Sequence, residues 1–112
     1  QWNMARFAET LLPLIDSGRF TIDRVVTHHG LSRRTLERTF RHQVGLAPAQ
    51  VDLLQRLKHA RALLARAESS LSQVALACGF HDQAHFTHRF RRHAGETPGE
   101  YRQRKLTQIY KA

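Results

Sequence analysis

Laid over itself, the chain repeats. Ile22, Val25, Val26 and Gly30 match Leu71, Val74, Ala75 and Gly79 at an offset of 49 residues. After one extra residue in the second copy, Ser32, Leu36, Phe40, Arg41, Gly45 and Pro48 match Asp82, Phe86, Phe90, Arg91, Gly95 and Pro98 at an offset of 50. The matched positions are apolar, glycine, proline or helix-capping types, which dictate backbone shape, so the two copies share a fold. Whatever this chain forms must be two like units and something that joins them.

The joining piece is legible as a rod. Over residues 49–67 the apolar side chains Leu53, Leu57, Ala60, Leu64 and Ala67 recur at alternating steps of four and three, one stripe of an α-helix. Nineteen residues give a rod of roughly 28 Å. Pro48 suits a first helical position, where its missing N–H costs nothing, and Glu68, Ser69 and Ser70 form a polar break at the far end.

Caps and stops divide the remainder into short helices. Residues 4–17 predict a first helix with Met4, Ala8, Leu11 and Ile15 on one face and Phe7 and Leu14 alongside, bent at Pro13 and stopped by Gly18. Residues 16–20 are the most linker-like stretch. Thr21 caps a helix over 22–29 that Gly30 closes; Ser32 caps the next, 33 to about 44, stopped by Gly45. In the second copy Ser70 and Gln73 form a capping box, Gly79 makes the turn, Asp82 caps 83 to about 94, and Gly95 stops it. Thr97, Pro98 and Glu100 open a last helix to roughly residue 106, and residues 107–112 show no pattern. No alternation of apolar and polar residues competes, so the expected class is all-α with about seven helices. The expected division is a first helix–turn–helix subdomain with its N-terminal helix (1–47), a linker helix (48–68) and a second such subdomain (69–112), one domain in all.

Charge narrows the partners. Among 112 residues, 18 Lys and Arg stand against 9 Asp and Glu, a formal +9, which exceeds what solubility requires and makes a polyanion the expected partner, nucleic acid ahead of an anionic membrane. One cysteine excludes an internal disulfide and any multi-cysteine zinc site, and fits a reducing cytoplasm. No apolar run reaches the ~18 residues of a membrane span. The chain opens on Gln1, which leads us to expect a fragment of a longer polypeptide, with a regulatory or dimerising domain ahead of it. Trp2 then reads either as a contact to that domain or as the start of a frayed end.

A helix–turn–helix braces its first helix across the DNA backbone and lays its second in the major groove, so the second must be apolar inside and basic or polar outside. In the first copy Leu36, Phe40 and Val44 are expected inward and Arg33, Arg34, Glu37, Arg38 and Arg41 outward. In the second, Phe86, Phe90 and Ala94 are expected inward and Gln83, Ala84, Thr87, His88 and Arg91 outward. Arginine pairs bidentately with guanine and glutamine with adenine; glutamate accepts from cytosine, and a threonine methyl meets the thymine methyl. Arg41, His42, Arg91, Arg92 and Arg102 suit phosphate, which fixes position without reading sequence. Any one of these taken alone is most simply a solvated surface residue; their repetition on two like helices favours contact. Successive major-groove faces lie about 34 Å apart, a distance that dimeric helix–turn–helix proteins span with two subunits and that the rod plus its flanking turns would span within one chain. Because the copies differ at the outward positions, the expected site is not palindromic.

The runs RLKHARALL (56–64) and LSQVALACGFHDQAHFTHRFRRHAGETPGEY (71–101) resemble the C-terminal DNA-binding domain of the AraC family of bacterial transcription regulators, and the likeness extends over about residues 22–102. The resemblance implies seven helices in two helix–turn–helix subdomains joined by a long helix, promoter binding, and recruitment or obstruction of RNA polymerase in the bacterial cytoplasm, at the nucleoid when bound. Matched to the family pattern, the base-reading positions are Arg33, Arg34, Glu37 and Arg38, then Gln83, Ala84, Thr87 and His88. Val51 stands where the family has an aromatic and where the second copy has Tyr101, Ala47 replaces the capping residue matched by Thr97, and His88 replaces a common arginine. The first subdomain is accordingly expected to pack less firmly, and the second reader either to bind more weakly or to respond to pH.

Rival readings are weaker. His81, His85 and His88 are spaced by four and three, but the acid beside them, Asp82, is needed as a cap, and such pairs arise by chance on basic helices. No cofactor or metal is expected. Cys78 sits beside the turn glycine and reads as a small buried hydrophobe rather than a reactive thiol. No catalytic trio or glycine-rich phosphate loop is present, so an enzyme is not expected. A purely protein-binding helical module would need an exposed apolar face where the sequence puts arginine.

Overall fold

The computed structural model describes residues 4–17 and 19–111; the expectations placed on Trp2, on Gly18 and on the side chains of Met4 and Phe7 lie outside the described residues. Among the described residues the chain is all-helical, with no strand. Its elements are α1 (Met4–Thr10), α2 (Leu12–Asp16), α3 (Ile22–His29), α4 (Arg33–Gln43), α5 (Pro48–Leu64), α6 (Leu71–Ala77), α7 (Gln83–Ala94) and α8 (Pro98–Lys111). Counting α1 and α2 as one broken helix recovers the seven expected. The break falls at Leu11 rather than at Pro13, because proline is tolerated in a helix's first turn and α2 restarts just ahead of it. Contacts divide the chain within α5 into two compact units, Gln1–Gln55 and Arg56–Ala112.

The caps are made by the residues that the sequence singled out. Thr21, Ser32 and Asp82 accept from the backbone N–H groups of Arg24, Thr35 and His85 at 3.2, 3.1 and 2.8 Å. Ser70 and Gln73 close a reciprocal capping box at 3.1 and 2.8 Å, as do Thr97 and Glu100 at 3.1 and 2.8 Å. Each satisfies N–H groups that the helix geometry leaves without an intrahelical partner.

Unit one packs around Leu11, Phe20, Val25, Leu31, Leu36, Phe40 and Val51, with Leu14, Ile15, Ile22 and Val26 against them. Ala8, expected on the same face as Leu11, is exposed. Phe20 lies in the stretch that had read as linker, yet it is buried and stacks on Phe40 at 5.0 Å. The Gln55 side chain holds its backbone from both sides, accepting from the Phe20 N–H at 3.3 Å and donating to its carbonyl at 3.1 Å.

Unit two buries Leu57, Ala60, Leu64, Val74, Ala75, Cys78, Phe80, Phe86, Phe90 and Tyr101. Its aromatic rings form a chain: Phe80 to Phe86 at 5.1 Å, Phe86 to Phe90 at 5.7 Å, Phe90 to Tyr101 at 5.5 Å. Edge-to-face and tilted pairs of this kind add to the burial of their area. The residue after each turn glycine, Leu31 in one copy and Phe80 in the other, is buried, and the extra residue of the second copy is the exposed His81 directly after it.

Further expectations are corrected. Helix α5 ends at Leu64 instead of residue 67, giving about 25 Å. Its last turn tightens through Arg66 and Ala67 N–H bonds to Leu63 and Leu64, and Ala67, taken for the end of the buried stripe, is exposed with φ +59°. Val44 and Ala94 are exposed rather than inward. A residue eight positions on has rotated about 80° from the first, and both helices stop there: Val44 is the C-cap of α4, and Ala94 precedes the left-handed Gly95. Helix α8 continues to Lys111, through residues in which no pattern had been read.

Candidate nucleic-acid interface

The outward face of α4 starts where Ser32 turns the chain into the helix. Arg33, Arg34, Glu37 and Arg38 are all exposed, with Leu36 and Phe40 buried behind them. Arg33 lies 3.5 Å from Asp23 of α3, a pair so exposed on both sides that its net attraction is small and a stronger anion can displace it. On α7, Gln83, Ala84 and His88 are exposed and Thr87 is half-buried, with Phe86 and Phe90 beneath. The apolar residues fix which way each helix is rolled, and the roll presents the polar side outward.

Arg41 and His42 in the last turn of α4, and Arg91 and Arg92 in the last turn of α7, are exposed, a placement that also complements the negative end of each helix dipole. Arg102 is placed differently from these four. It is half-buried on α8, its Nε donates to the Leu64 carbonyl at 3.0 Å, and its Nη2 is sealed from solvent with no hydrogen-bond partner among the described residues. Its neighbours on α8 are likewise engaged within the chain. Arg104 forms a two-pronged pair with Glu96, at 2.7 Å through Nη2 and 3.2 Å through Nε, which holds its guanidinium more firmly protonated. Arg104 and Lys105 also lie over the Tyr101 ring at 5.2 and 5.6 Å. Sequence pattern does not distinguish such cations from those aimed at solvent; an arginine one residue after the buried tyrosine is the available signal.

Cys78 is buried, and that burial pushes its thiol up to about 11, so the nucleophilic thiolate is scarce at neutral pH. The His81 backbone N–H donates to His85 Nδ1 at 3.4 Å, which engages one imidazole nitrogen in the turn. Among the described residues no three His, Cys, Asp or Glu side chains gather as metal ligands, and no helix is long and apolar enough to cross a membrane.

A family described as a helix-turn-helix domain matches residues 25–104, covering both copies and the helix between them. The chain belongs to the AraC-type helix–turn–helix family. It is 38% identical over 85 residues to the HTH-type transcriptional regulator ArgR of Pseudomonas aeruginosa, covering 76% of this chain and 26% of that protein. It is 41% identical over 81 residues to the HTH-type transcriptional activator RhaS of Escherichia coli, covering 72% of this chain and 29% of that one. The chain thus spans under a third of the length of these two relatives. Among solved structures it is similar to the DNA-binding domain of AdpA, a global transcriptional factor, in complex with a target DNA: TM-score 0.77, 30% identity, 94% of this chain and 96% of that one. Relatives and neighbours of this family are transcription regulators, a non-enzymatic class.

Proposed function

We propose that this chain reads double-stranded DNA by laying α4 and α7 in successive major-groove segments of a bacterial promoter. The observation that carries the reading is that one motif occurs twice, each time with a capped helix whose buried face is aromatic or aliphatic and whose exposed face is polar. Base edges fall to Arg33, Arg34, Glu37 and Arg38 on one helix and to Gln83, Ala84, Thr87 and His88 on the other. Phosphates fall to Arg41, His42, Arg91 and Arg92; Arg102 drops out of that set because its Nε is already committed to Leu64.

RNA polymerase is the proposed downstream partner, and an effector-binding or dimerising domain the proposed upstream one, in keeping with the much greater length of the relatives. The site of action is then the cytoplasm, at the nucleoid. Activation is the favoured outcome, as for the activator among the relatives. The experiment is binding to duplex fragments across a salt series. Log affinity should fall linearly with log salt, by about 0.9 per phosphate contacted. Arg38→Ala should cost about 1–3 kcal/mol and relax preference at one base pair, whereas Arg92→Ala should weaken all sequences alike. An absence of binding even at low salt would favour a protein-binding module instead.

A further inference from the structure

Two arginines in unit two are spent on main-chain carbonyls at the ends of structural elements. Arg102 gives its Nε to Leu64, the last residue of α5, whose carbonyl otherwise takes only a long 3.4 Å bond from the Ala67 N–H and where the dipole favours a cation. Arg56, near the middle of α5, donates from Nη1 to the carbonyl of Gly79 in the turn before α7. The approach there is close: a Cβ on Gly79 would stand 3.3 Å from the Arg56 guanidinium, and the glycine's φ of +83° is one that other residues rarely adopt.

Each of these hydrogen bonds has at one end a residue next in sequence to a ring that abuts α7. Gly79 is followed by Phe80, which packs on Phe86 near the start of the reading helix. Arg102 is preceded by Tyr101, which packs on Phe90 nearer its end. The second half of α5 is therefore a bar with a fastening toward each end of α7. In the first copy Asp52 stands at the position matched to Arg102, and Gln55 clasps Phe20.

We propose that Arg56 and Arg102 are positioning residues for α7, which set the angle at which the second reading helix meets the bases, and that neither contacts phosphate. The proposal rests on the DNA-reading function above. Since both arginines act through α7, losing either should blur the base preferences of that helix and leave those of α4 intact.

The test uses the whole chain on its preferred duplex, and on duplexes with the block read by α4 or the block read by α7 scrambled, each over a salt series. Arg56→Ala and Arg102→Ala should weaken binding to the preferred site about tenfold. They should lose discrimination against the α7 scramble, keep it against the α4 scramble, and leave the salt slope at the wild-type value. Arg102→Gln places an uncharged N–H donor the same number of bonds from the backbone as Nε, so it should restore most of the loss. It also carries the test if the alanine variants fail to fold. A salt slope reduced by about 0.9 in Arg102→Ala and Arg102→Gln alike would make Arg102 a phosphate ligand and overturn the proposal. Equal loss against both scrambles would overturn it as general destabilisation.

If the wild-type chain prefers no sequence, the DNA-reading function itself fails. The fastening is then judged by amide exchange, which should quicken in α7 and not in α4 for both alanine variants. Unchanged exchange in α7 would contradict it.

Discussion

In the first unit the helix after the reading helix starts behind Ala47, and only half a capping box forms: the Ala47 N–H donates to Gln50 Oε1 at 2.8 Å, with no side-chain oxygen to return the bond. A small pocket of about 60 Å³ lies at that junction, lined in part by Ala47, Pro48, Ile22 and Leu36. In the second unit the same junction has both halves of the box, from Thr97 and Glu100, and the ring of Tyr101 where the first has Val51. Val51 is nonetheless buried, and Phe20 with its Gln55 clasp supplies aromatic packing that the second unit draws from Tyr101. One motif is thus packed with two different sets of contacts, and the duplication constrains shape more tightly than it constrains fastening.

The largest expected contrast is at Phe20. Its truncation to Ala should cost about 3–5 kcal/mol in chemical denaturation, as for other buried aromatics, while Ser69→Ala at the matched position of the second copy should change little. Next come the turn glycines. Gly30→Ala meets open space and should cost only the left-handed backbone penalty, about 1–2 kcal/mol, whereas Gly79→Ala must also displace the Arg56 guanidinium and should cost more. Equal losses at the two glycines would mean that Arg56 yields freely and would weaken the case for its role.

Smaller again are the caps. Ala47→Thr should raise stability and Thr97→Ala lower it, each by about 1 kcal/mol, bringing the two junctions closer together. The smallest effect is on pH. Hydrogen bonds from the Thr97 backbone and hydroxyl hold the Glu100 carboxyl below its usual range, so the folded state binds its proton less readily than the unfolded one. That contribution is fully present above the unfolded value of about 4.3 and is lost as pH falls through the lower folded value. The α5 cap uses Gln50, which does not titrate. Stability followed from pH 6 to pH 2 should therefore lose this component in wild type and not in Glu100→Gln.

Much of the architecture was legible because its determinants are local. Thr21, Ser32, Ser70, Asp82 and Thr97 announce helix starts by their own chemistry, and the repeat announces the fold. Phe20 was hidden by its polar neighbours, yet it precedes the Thr21 cap as Val25 follows it four residues into the helix, the spacing of a hydrophobic staple, and both lie in one core. The end of α5 is not marked by pattern, because stripe periodicity continues through Ala67 after the backbone has left the helix. Arg102 could not be sorted from Arg91 or Arg92 by type. Only the tertiary placement of the Leu64 carbonyl separates an arginine used within the chain from arginines free to meet a ligand.

The central claim, that α4 and α7 read adjacent groove faces, is tested most directly by selecting bound duplexes from a random pool with the whole chain. The expected result is two short conserved blocks, unlike in sequence and centred about one helical turn apart, 10–10.5 base pairs. A single block, a palindrome, or two blocks at variable spacing would contradict it.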